Sequence, residues 1–236
     1  MEGCGSVTAA SDEKGRADEP TRVVALFRGK IAPYKGRFTS AYRKQPVEKI
    51  SVTQSDGVLE DEHAYYDHGG EDRGILQYSM LDYARMQQAF PNYATLHEPC
   101  AFGENMTTEG PMCSRTVCIG DVYEVGSAVV EVSMPRFPCW KVDHRHGTGT
   151  KEYALKNGLS GWFYRVKQPG DISVGDTFKL INRPNPLWTI FYLQNGLHGE
   201  DSKLKTDRQF LTDVLALDAL FAKHWKDEAK KLLDGK

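Results

Sequence analysis

Cysteine is scarce in this chain, and neither sign of charge prevails. The 236 residues include five cysteines, Cys4, Cys100, Cys113, Cys118 and Cys139, and no two are spaced as Cys-x-x-Cys. An odd number without paired spacing argues against a disulfide framework and against a structural zinc site, and suits the reduced thiols of a cytosolic protein. Lys and Arg total 30 against 32 Asp and Glu, so the charge balance points to neither nucleic acid nor an anionic membrane surface. No apolar run approaches the roughly 20 residues needed to cross a bilayer. The first residues lack an apolar signal core and carry Glu2, Asp12, Glu13, Asp18 and Glu19. That composition argues against a secretory signal and an acid-poor transit peptide, and a cytoplasmic location is expected. No Gly-x-Gly-x-x-Gly fingerprint for a flavin or nicotinamide is present. Large apolar side chains are almost missing from residues 1–20, too few to offset the entropy of ordering, which predicts a disordered tail.

What is present reads mostly as short strands. An apolar run covers 23–27, and apolar and polar residues alternate over 47–52. Val122-Tyr123-Glu124-Val125, then Gly126-Ser127, then Ala128-Val129-Val130-Glu131-Val132 predicts a hairpin with a two-residue turn. A further strand is expected over 172–181, and Gly120-Asp121 and Gly175-Asp176 supply turns before strands. One helix fits among them, opened by Ser79 with Asp82 three residues on and stopped by Pro91. The fold class expected is mainly β with some α, a closed or partly closed barrel. After Pro184-Asn185-Pro186 the pattern becomes helical. Residues 187–194 form one candidate helix. Thr206 with Gln209 caps another, along which Phe210, Val214, Leu217, Phe221, Trp225 and Leu232 make an apolar stripe best explained by core packing. The expected divisions are a tail over 1–20, a β domain over 21–183 and a helical segment over 184–236.

Chemistry concentrates in Ser133-Met134-Pro135-Arg136-Phe137-Pro138-Cys139-Trp140-Lys141. Two prolines stiffen the backbone around Arg136 and Phe137. Arg136 and Lys141 place positive charge on both sides of the sulfur, and cationic neighbours favour the thiolate that ligates a soft metal or attacks an electrophile. The competing reading is a buried cysteine acting as a small hydrophobe. Two other segments accompany it in order, His68-Gly69-Gly70-Glu71-Asp72-Arg73-Gly74 and Ala101-Phe102-Gly103-Glu104-Asn105-Met106.

Together the three motifs resemble the MOSC domain (molybdenum cofactor sulfurase C-terminal domain), and most closely the subfamily linked to resistance to N-hydroxylated base analogues. The resemblance runs from about Val23 to Arg183. It implies a MOSC-type β-barrel with a small C-terminal three-helix appendage. It also implies a molybdenum cofactor, with Cys139 binding the metal. Arg73, Arg136 and Lys141 are then candidate donors to the cofactor's phosphate and pterin edge, Arg in a bidentate fork. Gly69, Gly70 and Gly103 allow close backbone approach. Asn105 offers an amide that donates and accepts. Glu104, Ser133 and Pro138 complete the candidate cofactor-binding set. His68 is a candidate proton donor, and Asp72 orients a neighbouring cation. Each residue has a plainer reading: a turn at Gly69-Gly70, loop polarity at Glu104-Asn105, a surface ion pair at Arg73. His144-Arg145-His146 in a Gly-rich stretch is expected to be solvated. The chain departs from the subfamily at Met134, where Gln is frequent, at Glu71, where Pro is frequent, and at Glu60-Asp61, where a Gly-Asp pair usually stands.

The activity implied is reduction of N-hydroxylated compounds such as hydroxylaminopurines and hydroxylamines, with two electrons and two protons clearing the oxygen as water. A separate flavin or iron–sulfur reductase would supply the electrons, with the helical tail as a candidate docking surface. A homodimer is compatible with the resemblance, and no nucleic-acid or membrane partner is expected. Two other classes stay open, a non-catalytic carrier of molybdenum cofactor or persulfide sulfur, and a Cys-dependent hydrolase or transferase.

Overall fold

The computed structural model describes residues 20–36, 38–62, 69–220 and 222–235. Residues 1–19 of the tail expected over 1–20 and the candidate proton donor His68 lie outside the described residues. Thirteen short strands and six helices are described. Apolar, β-branched and aromatic runs form the central strands: β1 (Arg22–Arg28), β7 (Ile75–Ser79), β8 (Met106–Glu109), β9 (Val122–Val125), β10 (Ala128–Pro135), β11 (Trp162–Gln168) and β13 (Phe178–Asn182). With β4 (Gln45–Val47) they make one eight-stranded sheet in the order β13-β9-β10-β11-β7-β8-β1-β4. All pairs are antiparallel except β7 with β8, which run parallel.

The β9–β10 hairpin forms as expected, with Ala128 opposite Val125. β10 runs three residues further than its alternation suggested, to Pro135, because Pro135 still pairs with Trp162. A register shift between Val132 and Met134 interrupts this ladder at Ser133. Such a bulge turns side chains and bends the strand, here immediately before the Cys139 segment. The sheet curls until the start of β1 meets the turn before β13, through an Arg22–Thr177 bridge and the bond from Val23 N to the Asp176 carbonyl. The fold is sheet-dominated with some helix, as expected, but the expected barrel is not found: among the described residues no complete closed ladder runs around the sheet.

Several boundaries differ from the expectation. The run over 47–52 divides at Glu48 into β4 and β5 (Lys49–Thr53), which pairs with β12 (Gly170–Ser173) and β6 (Gly57–Val58) in a separate three-stranded sheet. The strand expected over 172–181 breaks between β12 and β13 because Asp176 folds back and accepts from Ser173 N. Ala32–Lys35 (β2) and Phe38–Ser40 (β3) form a two-stranded ribbon.

Helix α1 (Met80–Ala89) starts where expected, Ser79 Oγ accepting from Asp82 N at 3.1 Å. Asp82 does not reach back to close a capping box. It is buried and accepts from the Ser114 amide and hydroxyl and from Arg85. α1 is not alone among the strands: α2 (Lys141–His146) and α3 (Thr150–Lys156) follow the Cys139 segment. The helix expected over 187–194 is α4 (Ile190–His198), started by Thr189, whose hydroxyl accepts from Tyr192 N. The single helix expected after Thr206 divides into α5 (Arg208–Ala216) and α6 (Lys223–Leu233), with Asp207 as the α5 cap. Of the expected stripe, Phe210, Val214, Leu217 and Trp225 are buried in one core and Leu232 packs against it, while Phe221 lies outside the described residues. Phe210, Val214, Leu220 and Trp225 belong to the same buried cluster as Val130, Val132 and Tyr164 of the sheet. A second cluster of Tyr78, Tyr83, Met86, Phe102, Val142 and Leu159 lies under α1, α2 and α3. No helix among the described residues is long and apolar enough to cross a membrane.

Candidate functional site

The end of β10, the start of α2, the 3-10 turn Glu71–Arg73 and the loop before β8 converge on one cleft. Its lining includes Arg73, Gly103, Asn105, Arg136, Cys139 and Lys141, six of the residues singled out by sequence. Tyr42, Lys44 and Asp61 join them from the loops between β3 and β7. Glu104, Ser133, Pro138 and Asp72 are not on this surface.

Cys139 is half-buried, and its carbonyl accepts from Val142 N at 3.1 Å, which starts α2 and fixes the residue's backbone. Lys141 is 4 % exposed, and burial holds its pKa below the usual lysine value. Arg136 is 6 % exposed and its guanidinium lies 6.0 Å from the centre of the Tyr42 ring. Its Nη1 is buried without a hydrogen-bond partner among the described residues. Buried polar atoms are nearly always paired, so an orphaned guanidinium nitrogen on a cleft marks a place for an acceptor that the described residues do not supply. Arg73, at the end of its 3-10 turn, is half-buried and has no ion-pair partner among the described residues.

Other positions serve the framework. Ser133, at the β10 bulge, donates to the Asp72 carbonyl at 2.6 Å and to the Phe163 carbonyl at 3.0 Å, and so pins the Glu71–Arg73 turn. Asp72 turns away and pairs with Arg165 at 2.8 Å. Glu104 is fully buried and accepts from Tyr83, Phe102 N and Thr107; burial pushes its pKa up. Asn105 is committed to the backbone. Its Oδ1 accepts from Leu76 N, and its Nδ2 donates to Asp61 at 2.8 Å, so little of the amide faces a ligand. Gly103 takes φ +73°, where an added Cβ would lie 2.9 Å from the Tyr42 ring; its freedom makes room for Tyr42 as much as for a ligand. Gly70 (φ +101°) has open space where its Cβ would be, so approach from outside is unobstructed there. Gly69 is half-buried next to it, and Pro138 is buried behind Cys139.

Sequence reasoning passed over Tyr42, Lys44 and Asp61 as site residues. Lys44 and Asp61 form a buried ion pair, and Asp61 also accepts from Gly29 N at 2.6 Å. Glu60, in place of the subfamily's glycine, holds φ +62°. That left-handed backbone is the one local signal that a glycine belongs at this position. His146 is corrected from a solvated loop to a buried helical residue. It contacts Thr95 Oγ1 at 2.9 Å and the Ala101 carbonyl at 2.7 Å, and burial lowers its pKa to about 4. His144 is exposed, with its ring against Tyr34 and Trp140. Phe38 packs on the same Trp140, so an aromatic wall stands at the rim beside Cys139.

Chemically, the cleft presents one thiol, two guanidiniums and two ammonium groups, with its two carboxylates, Asp61 and Glu62, already paired to Lys44 and Lys30. Among the described residues no three His, Cys, Asp or Glu side chains gather where a metal could be held by the chain alone. The arrangement suits an anionic ligand that accepts hydrogen bonds from the guanidinium and ammonium groups.

Fold and cleft thus define a sheet-dominated protein with a cation-lined cleft that holds a thiol. The family model for the MOSC domain matches residues 64–179. Protein YiiM of Escherichia coli is 33 % identical over 162 residues, covering 68 % of this chain and 72 % of that protein. A reductase of Gibberella moniliformis is 36 % identical over 171 residues, 72 % of this chain, but the chain spans only 30 % of that protein's length. The crystal structure of YiiM from Geobacillus stearothermophilus superposes with a TM-score of 0.72 at 27 % identity, over 91 % of this chain and all of that one. The chain belongs to the MOSC-domain family, in its YiiM-like branch.

Proposed function

We propose that this protein is a molybdenum-cofactor-dependent reductase of N-hydroxylated compounds, supplied with electrons by a separate flavin or iron–sulfur reductase in the cytoplasm. The observation that carries the reading is the orphaned, buried Arg136 Nη1 on the same cleft as Cys139. The donor set fits the cofactor. Cys139 offers the soft ligand, Arg136, Arg73 and Lys141 offer charge to its phosphate and pterin edges, and Gly70 leaves the approach open. When bound, the cofactor supplies the two-electron chemistry that removes oxygen from an N–O bond. The chain's own part is to hold and orient it: Ser133 fixes the turn that carries Arg73, and Val142 N fixes the carbonyl of Cys139. The aromatic rim of Tyr34, Phe38 and Trp140, whose rings pack edge-on and tilted against each other, offers apolar ring surface to a planar substrate. The name of the fungal relative, a reductase, agrees with the direction of the chemistry.

The test is Cys139→Ala in protein made by a host that synthesises the cofactor. We expect reduction of a hydroxylaminopurine with dithionite as donor to be abolished, while the denaturation midpoint stays at the wild-type value. A folded Cys139→Ala protein with full activity would overturn the reading, and wild-type protein with bound cofactor but no turnover would favour a carrier.

A further inference from the structure

Cys139 also faces a second, smaller cavity, lined by Arg73, Met134, Arg136, Phe137, Phe163 and His224. Arg73, Arg136, Cys139 and Phe163 line both spaces, so the two adjoin at these side chains. Their electrostatics differ. The main cleft carries Asp61 and Glu62. The second cavity has two guanidiniums and an imidazole and, among the described residues, no carboxylate. Two of its lining residues each carry a buried side-chain nitrogen without a hydrogen-bond partner among the described residues, Nη1 of Arg136 and Nε2 of His224. They come from opposite parts of the chain, the end of β10 and the first turn of α6, and the fold brings both to one small space. Burying either leaves its desolvation uncompensated unless an acceptor arrives. His224 is held in place by ring contacts with Phe137 at 5.6 Å and Trp225 at 5.2 Å. Burial lowers its pKa to about 4, so near neutral pH it is an uncharged imidazole with one N–H to give.

We propose that this cavity is an oxyanion subsite built jointly by the sheet and helix α6. It takes a phosphate group, with Arg136 and His224 as hydrogen-bond donors and Arg73 as a second cation. Oxyanions accept several hydrogen bonds at once and favour guanidinium forks, which matches a lining of donors without competing carboxylates. The C-terminal helices are then part of the binding site. The chemistry is the same for the phosphate ester of a bound cofactor and for free phosphate, and it does not depend on the metal.

The experiment uses the full chain and two sources of phosphate. In the first arm, protein from a host unable to make the cofactor is titrated calorimetrically with inorganic phosphate. His224→Leu is expected to weaken binding about tenfold, the worth of one hydrogen bond to a charged group, and His224→Gln, which keeps an N–H donor, to restore most of it. In the second arm, pterin phosphate content is measured in the same variants from a host that makes the cofactor. A parallel fall in His224→Leu, recovered in His224→Gln, assigns the subsite to the cofactor's phosphate, even if inorganic phosphate alone binds too weakly to measure. Lost phosphate affinity with unchanged pterin content assigns it to a free oxyanion. If both variants match wild type in both arms, or if His224→Gln fails as badly as His224→Leu, His224 only packs against Phe137 and the proposal is wrong. Should His224→Leu not fold, Arg136→Gln and His224→Gln carry the same comparison. Phosphate binding is read on cofactor-free protein, so its failure is separable from failure of the reductase reading.

Discussion

Lys44 and Asp61 meet at 2.5 Å with side chains only 7 and 2 % exposed, and the Asp61 carboxylate also receives Gly29 N and the Asn105 amide. Removing one partner from such a set leaves a buried charge uncompensated, whereas removing both does not. We expect Asp61→Ala to cost about 3–5 kcal/mol of stability by urea denaturation and the Lys44→Met/Asp61→Leu double variant to cost far less. Similar losses in both would mean that the pair is not coupled. His146 gives a pH test. Its pKa is about 4 in the fold, against roughly 6.5 in the unfolded chain. Below 6.5 the unfolded state takes up a proton that the folded state refuses, so stability falls as pH drops from about 6.5 towards 4. Against His146→Gln, which keeps a donor towards the Ala101 carbonyl, the wild type should lose about 2 kcal/mol on going from neutral pH to about pH 4.5. Parallel pH profiles for the two proteins would show that His146 is protonated without penalty. At this scale the sequence exposed Arg136, Cys139 and Lys141, which sit within six positions of each other around a cation-flanked thiol. Lys44, Asp61 and His224 carried no comparable signal, because their chemistry depends on neighbours 17 or more positions away.

Among the elements, β10 and α6 decide the geometry around Cys139. Trp225 is fully buried in α6, and its Nε1 donates to the Pro135 carbonyl at 3.1 Å, tying the helix to the strand end that leads into the Cys139 segment. Trp225→Ala should cost about 3–5 kcal/mol, while Trp225→Phe, which keeps most of the packing, should cost about 1 kcal/mol from the lost hydrogen bond. Thermal unfolding of both variants, alongside their bound pterin content, checks this; equal, small effects would detach α6 from the site. The β9–β10 hairpin and the start of α1 were legible because a turn sequence and a cap are local signals. The bulge at Ser133 was not. It arises from the register between β10 and β11, strands separated in the chain by two helices, and no local pattern encodes that register.

For the whole molecule, the helical segment and the curled sheet share one apolar cluster. Arg165 reaches across from β11 to the Ala219 carbonyl at 3.0 Å while holding Glu131 on the sheet and Asp72 in its 3-10 turn. Cutting the chain after Arg183 would uncover the sheet residues beneath Leu193, Val214 and Trp225. We expect the truncated protein to aggregate on expression, with activity lost for dithionite and for a reductase partner alike. A soluble truncated protein that keeps its cofactor and loses only reductase-driven turnover would instead make the helices a docking surface.

The sequence alone determined the motif order, the thiol between two cations, the predominance of short strands and the helical character of the last fifty or so residues. These follow from side-chain type, proline and glycine placement and apolar period, all of which act over a few residues. The tertiary structure decided which of the marked residues share a cleft. It committed Glu104 and Asn105 to buried hydrogen bonds, sent Asp72 to Arg165, and buried His146 in a helix. It also brought His224 across from the C-terminal helix to a cavity beside Cys139. Those outcomes depend on strand register and on helix packing against the sheet. Both are set by burial summed over the whole core, which is why no segment read by itself contains them.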